Sequence, residues 1–222
     1  MTSTSDTLQG LFREEDLEAI RRATLEAEKR TSGEIVPYLV GQVDNHGEAR
    51  LLGALLGALT CSLVAGTLHG IGNFWGGSGV LWITLPPLLG AALGFLLAGF
   101  GAIGRRLVPE EDLDRRVRLR AEAAFLEEEV FKTRQRTGIL IFLALWEHRA
   151  VILGDEGIHR AVPEGTWDEL VQELVEGIGQ GQATQALVGA IGRCGDLLER
   201  HGLELPPDDE DELANAPRVR EN

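Results

Sequence analysis

Apolar and polar positions divide this chain into segments with different periods. Between residues 13 and 30, Leu17, Ile20, Thr24 and Ala27 recur at three and four, the spacing of one helix face. Glu14, Glu15 and Asp16 stand at its start and Lys29 and Arg30 at its end, which suits the helix dipole. Gly33 closes the helix, and EIVPYLV (34–40) reads as a strand. Pro37 has no N–H to give a ladder, so an edge position or a bulge is expected there. A second helix is expected over 109–135, buried by Leu113, Val117, Ala124 and Phe131, followed by GILIFLAL (138–145). That nearly continuous apolar run suits a strand covered on both faces. WEHR (146–149) reads as a tight turn, and AVILG (150–154) as a strand returning antiparallel. Trp167, Leu170, Val171, Leu174, Val175 and Ile178, then Leu187, Ala190, Ile191, Cys194 and Leu198, predict two more amphipathic helices.

The middle of the chain obeys another rule. From Leu51 to Gly104 there is no Asp, Glu, Lys or Arg, although a quarter of the whole sequence is charged. Leu51–Gly72 as a helix is about 33 Å long, against roughly 30 Å of bilayer hydrocarbon. Val80–Ile103 gives a second crossing, and NFWGGSG (73–79) a turn with interfacial aromatics. Gly53 and Gly57, and Gly90 and Gly94, are spaced to let two helices approach closely; Pro86 and Pro87 are expected to kink the second helix near its start. His69 is expected near the turn-side interface. With no charged group inside the crossings, the hairpin reads as an anchor rather than a transport path.

A hairpin returns the chain to the side it left. The expected organisation is a flexible N-terminus (1–12), one discontinuous domain (13–49 with 105–203), a transmembrane hairpin (50–104) and an acidic disordered tail (204–222). The domain reads as a small α/β sandwich. Arg50 precedes the first crossing, and Arg105, Arg106, Arg115, Arg116, Arg118 and Arg120 follow the second. By the positive-inside rule both arms face the cytoplasm, as in a two-pass protein of the bacterial inner membrane.

A net charge of −14 argues against nucleic acid as a partner, leaving the lipid bilayer and a membrane protein. Cys61 and Cys194 make no framework. There is no H-E-x-x-H, C-x-x-C or P-loop, and the GIGQG glycines (177–181) lie between helices, so none of the common cofactors is supported. The candidate chemistry lies in GDEGIH (154–159), just after a strand, where Asp155 and Glu156 offer oxygen ligands for calcium or magnesium. His159 is a candidate acid or base, and Glu34 a second carboxylate at the head of its strand. Thr31 and Thr137 occupy matching places before their strands and read as turn or cap residues, and EHR (147–149) as ordinary turn chemistry. No catalytic residue is assigned.

The stretches EKRTSGEIV (28–36), TGILIF (137–142) and GDEGIH (154–159) resemble the TPM-domain family. The resemblance implies an α/β sandwich with a mixed central sheet, often membrane-tethered. Some members have weak acid phosphatase activity or bind calcium, and others assist membrane complexes. Two departures stand out: the hairpin interrupts the domain, and no aspartate pair follows the first strand. A membrane-anchored accessory module is therefore the leading expectation, with a weak metal-dependent phosphatase using Asp155, Glu156 and Glu34 as the alternative.

Overall fold

A computed structural model describes residues 12–72, 80–163, 165–201, 213 and 215–220. The chain divides into two compact units, one of residues 1–43 and 114–222, the other of 44–113. The second unit extends beyond the 50–104 expected from charge, since its first long apolar helix already begins at Gly47 and a short helix at Gly101–Leu107 falls within it.

In the first unit, α1 (Glu14–Glu28) leads to β1 (Glu34–Val40). After the second unit come α5 (Glu110–Glu127), β2 (Gly138–Ala144), β3 (Arg149–Gly154), a single turn of helix α6 (Glu156–Ala161), then α7 (Asp168–Gly179), α8 (Ala183–Arg200) and a short β4 (Arg218–Arg220). The sheet order is β3-β2-β1-β4, with β1 parallel to β2 and β4, and β2 antiparallel to β3. The sheet is therefore mixed. Both β1 and β2 are buried along their whole length, which is why neither alternates polar with apolar.

Alternation along β1 and β2 sends Ile35, Leu39, Ile139, Ile141 and Leu143 to one face. There they meet Ile20 of α1, Leu170 and Leu174 of α7, and Leu187, Ile191 and Leu198 of α8. Val36, Tyr38, Val40, Leu140, Phe142 and Ala144 point the other way, onto Val117, Ala121 and Ala124 of α5. Helices on both faces make the αβα sandwich. The long amphipathic stripes of α7 and α8 are the main cover, each fully buried Leu or Ile contributing about 1.5–3 kcal/mol.

Four expectations need correction. Residues 204–222 do not form a wholly solvated tail, because Arg218–Arg220 pairs with β1. Phe12, assigned to a flexible end, is buried in the core, while residues 1–11 lie outside the described residues. The helix expected over 109–135 stops at Glu127: Glu129 takes a positive φ, and the chain turns to bury Val130. Fourth, Pro37 does not mark an edge strand, since β1 lies between β2 and β4. Its tolerance has a local cause. The N–H groups of Glu34 and its even-numbered neighbours face β2, so Pro37 faces the other side, where β4 begins only at the level of Tyr38.

In the second unit, α2 (Gly47–Gly72) and α3 (Val80–Ala98) are both long and apolar enough to cross a membrane; α4 (Gly101–Leu107) follows. The second crossing was expected to reach Ile103, but the helix breaks at Gly99 and Phe100, where Phe100 is extended. Pro86 and Pro87 lie within continuous helix. Gly53 packs on Gly94 and Gly57 on Gly90, each glycine lying where the other's backbone carbonyl leaves no room for a Cβ. His69 is half-buried beside Trp82, with ring centroids 6.4 Å apart. The NFWGGSG turn lies outside the described residues.

Candidate functional site

The expected site residues gather at one end of the sheet, where β1 and β2 begin and β3 ends. Glu34 and Gly138 stand opposite each other as the first residues of β1 and β2. Backbone bonds bind the three strand ends together: Glu34 N–H donates to the Thr137 carbonyl at 3.2 Å, and Asp155 N–H to the Gly138 carbonyl at 2.9 Å. Gly138 is required here, because a Cβ would run into the Val130 carbonyl. Thr137 donates its hydroxyl to the Ser32 carbonyl at 2.6 Å, and Thr31 Oγ1 accepts from Gly33 N–H at 3.3 Å. Both threonines thus hold turns, and both are buried.

Asp155 caps α6. Its Oδ1 accepts from Glu156 N–H at 2.8 Å and from Arg136 Nη2 at 2.9 Å, while Oδ2 lies 2.6 Å from Arg136 Nε. The contact of Oδ2 has ion-pair distance without hydrogen-bond alignment. Asp155 is 6% exposed and Arg136 half-exposed, so the carboxylate is spent on a guanidinium that closes it from solvent. Gly157 N–H donates to the Arg136 carbonyl at 2.8 Å, and a side chain at Gly157 would strike the Gln135 and Arg136 carbonyls. His159 Nδ1 lies 3.0 Å from the Asp155 carbonyl.

The His159 contact is with the Asp155 main chain and not its carboxylate, and the other two candidates lie apart from it. Glu156 is exposed and faces Arg160 at 3.5 Å. Glu34 is buried, two strand spacings or about 10 Å from the β3 end, and accepts from Leu213 N–H at 3.4 Å. Among the described residues no three His, Cys, Asp or Glu side chains are grouped to hold a metal ion. Calcium needs six to eight oxygens and magnesium an octahedron, whereas both Asp155 oxygens here face a cation already present in the chain. These residues do not fit either ion.

Sequence reasoning missed Glu147. It sits in the WEHR turn at the opposite end of the sheet, is completely buried, and accepts from Val43 N–H at 2.8 Å. A glutamate in a polar turn carries no signal of burial, so nothing in the sequence could have found it. Arg136, the partner of Asp155, was equally hidden, being one of many arginines. A cavity of about 290 Å³ between α7 and α8 is lined by Glu169, Arg193, Asp196 and Arg200. Its charges are largely turned on one another: Arg193 pairs with Glu169 and Glu173, and Asp196 with Arg30 at 2.7 Å.

The sandwich and its order of elements now bear comparison with known proteins. The family model of the TPM domain matches residues 106–197. That stretch, less than half of the chain, is thus similar to a TPM domain. The sheet also includes β1, which lies outside the matched stretch and pairs with β2 within it. A similar fold is seen in the NMR structure of the BA42 protein from the psychrophilic bacterium Bizionia argentinensis, with a TM-score of 0.58 and 22% identity over 94% of this chain and 95% of that one. No curated protein matches the sequence.

Proposed function

We propose that this protein is a membrane-anchored accessory module, whose TPM domain lies at the cytoplasmic face of the inner membrane and binds or stabilises another membrane protein. The observation that carries the reading is the construction of the hairpin. Its glycines interlock on the inside, while Leu51, Leu63, Ile71, Leu81 and Ile83 present their side chains outward, a surface suited to lipid. Nothing charged stands within its two helices between Leu51 and Ala98, so the pair serves to hold rather than to conduct. Arginines at 105 and 106, just past the second helix, support the cytoplasmic orientation.

The phosphatase reading has no comparable support, because Asp155 is bound by Arg136 and Glu34 lies two strands away. Two experiments test the proposal. Glu26→Cys and Gln135→Cys, one in each arm, should react with a membrane-impermeant thiol reagent only after inner-membrane vesicles or spheroplasts are opened to the cytoplasmic side. Reaction of either from the outside would refute the orientation. Photo-crosslinking from exposed positions of the TPM domain in native membranes should capture a defined membrane protein, and its failure at every position would refute the accessory role.

A further inference from the structure

The side of β1 away from β2 is divided into two parts. In its first half Ile35 N–H is taken by Glu28 Oε1 at 3.0 Å and Pro37 has no N–H, so that half cannot extend a sheet. In its second half Leu39 and Gly41 point the same way, and Gly41 N–H donates to the Arg220 carbonyl at 3.3 Å. The slot able to take a strand is therefore only as long as β4. What fills it is the far end of the same chain, joined to α8 through residues 201–217.

Recognition of that segment resides in few groups. Arg218 and Arg220, two positions apart on an extended strand, point to the same side, and both reach one carboxylate. Arg218 Nε lies 3.0 Å from Glu128 Oε2 and Arg220 Nη2 3.3 Å from Glu128 Oε1. Glu128 and Arg218 are each 15% exposed, so this pair is largely withdrawn from water, where charge-assisted bonds gain strength. Val219 stands between them with its side chain partly in solvent. The floor of the slot is Tyr38, stacked on Phe142 at 5.3 Å and bonded through its hydroxyl to Arg120 at 2.7 Å. The slot thus reads backbone and two arginines and ignores most else.

We propose that the β1 edge from Tyr38 to Gly41, with Glu128, is a strand-addition site for an extended segment of a partner protein bearing arginines two positions apart, and that Arg218–Arg220 is its built-in competitor. Extended peptides commonly dock by adding a strand to a sheet edge, with main-chain bonds giving affinity and side-chain contacts giving specificity. A tethered tail holds its slot at an effective concentration on the order of millimolar. A partner must therefore be concentrated too, as a neighbour anchored in the same membrane is. The slot deepens the accessory reading and rests on it only for the partner being a membrane protein.

The test uses the full chain in detergent, the full chain with Arg218→Gln and Arg220→Gln, and a chain ending at Glu212. The probe is a fluorescent seven-residue peptide, Thr-Thr-Arg-Thr-Arg-Thr-Thr, read by anisotropy. Binding to either tail-altered protein should be at least tenfold tighter than to the full chain. It should fall at least tenfold when both peptide arginines are replaced by glutamine or when Glu128→Gln is added to the protein. Equal binding by all three proteins, no binding to both altered chains, or binding indifferent to the arginines would overturn the proposal. A full chain that is dimeric, and becomes monomeric on Arg218→Gln and Arg220→Gln, would give the slot to a second copy's tail and also overturn it. Because peptide binding and membrane crosslinking are separate readouts, failure of the slot is distinguishable from failure of the accessory reading.

Discussion

Gly57 and Gly90 face each other across the hairpin so closely that a side chain on either would occupy the other's carbonyl. Two backbones in this contact gain dispersion along their whole seam, which in lipid replaces the hydrophobic drive absent there. Gly57→Leu or Gly90→Leu should therefore force the helices apart and cost about 1–3 kcal/mol or more. Gly66 and Gly70 have open space where a Cβ would stand, so Gly66→Leu should be close to neutral. Thermal unfolding in detergent, followed by tryptophan fluorescence, separates the two cases; equal loss at Gly57 and Gly66 would contradict the packing.

Removing Asp155 deletes the cap of α6 and leaves Arg136 without its counter-ion. Asp155→Ala should destabilise the αβα sandwich by about 2 kcal/mol, and Asp155→Asn, which keeps a capping oxygen, by less. Urea unfolding gives the order. Millimolar calcium should leave the midpoint of the unaltered chain where it was; a clear upward shift would show that the carboxylates at this end do take a cation.

Gly138→Ala places a methyl group against the Val130 carbonyl, with backbone on both sides of the collision. A loss of roughly 2–4 kcal/mol is expected, larger than for an exposed glycine such as Gly189, whose Cβ would meet nothing. Comparing the two variants by chemical denaturation checks it.

The β4 contact should depend on acid. Burial alone would raise the Glu128 carboxyl, but hydrogen bonds and charge from Arg218 and Arg220 outweigh it and hold it below its usual value of 4.5. A carboxyl lowered in the folded state contributes its stabilisation above the unfolded value and loses it as pH falls through the folded one. The tail should thus stay paired above about pH 4.5 and detach progressively below it. Hydrogen exchange at the Gly41 amide, which β4 protects, should accelerate relative to the Val36 amide over that range, and a ratio constant with pH would refute the linkage.

Cys194 is fully buried, and burial pushes its thiol up to about 12. It should resist a maleimide at neutral pH until the domain unfolds, since the thiolate is the reactive form. Mass spectrometry of labelled peptides before and after denaturant decides this; labelling in the folded chain would contradict the packing of α8 against α1.

Much of this architecture was legible in the sequence, for identifiable reasons. Leu187, Ile191 and Leu198 repeat at helical spacing because α8 has one buried face, and the repeat is local. GILIFLAL reads as a strand covered twice because each residue in it is buried. The hairpin shows through its missing charges, and even its contact glycines were visible from their spacing. The site fared worse. His159 reaches only the main-chain carbonyl of Asp155, and Glu34 and Glu156 are sent elsewhere by strand order and helix face. The choice of Arg136 as the partner of Asp155, and of a buried position for Glu147, follows from turns whose geometry no local pattern encodes.

By itself the sequence determined which solvent each segment prefers and which period it follows, because burial of apolar surface and helix or strand repeat are properties of neighbours a few residues apart. Only the tertiary structure decided that Arg218 meets Glu128, 90 positions earlier, that Thr137 holds Ser32, 105 positions earlier, and that a three-residue tail completes the sheet. Such contacts form where distant backbone ends, already fixed by the core, bring a donor and an acceptor within reach, and composition does not say which.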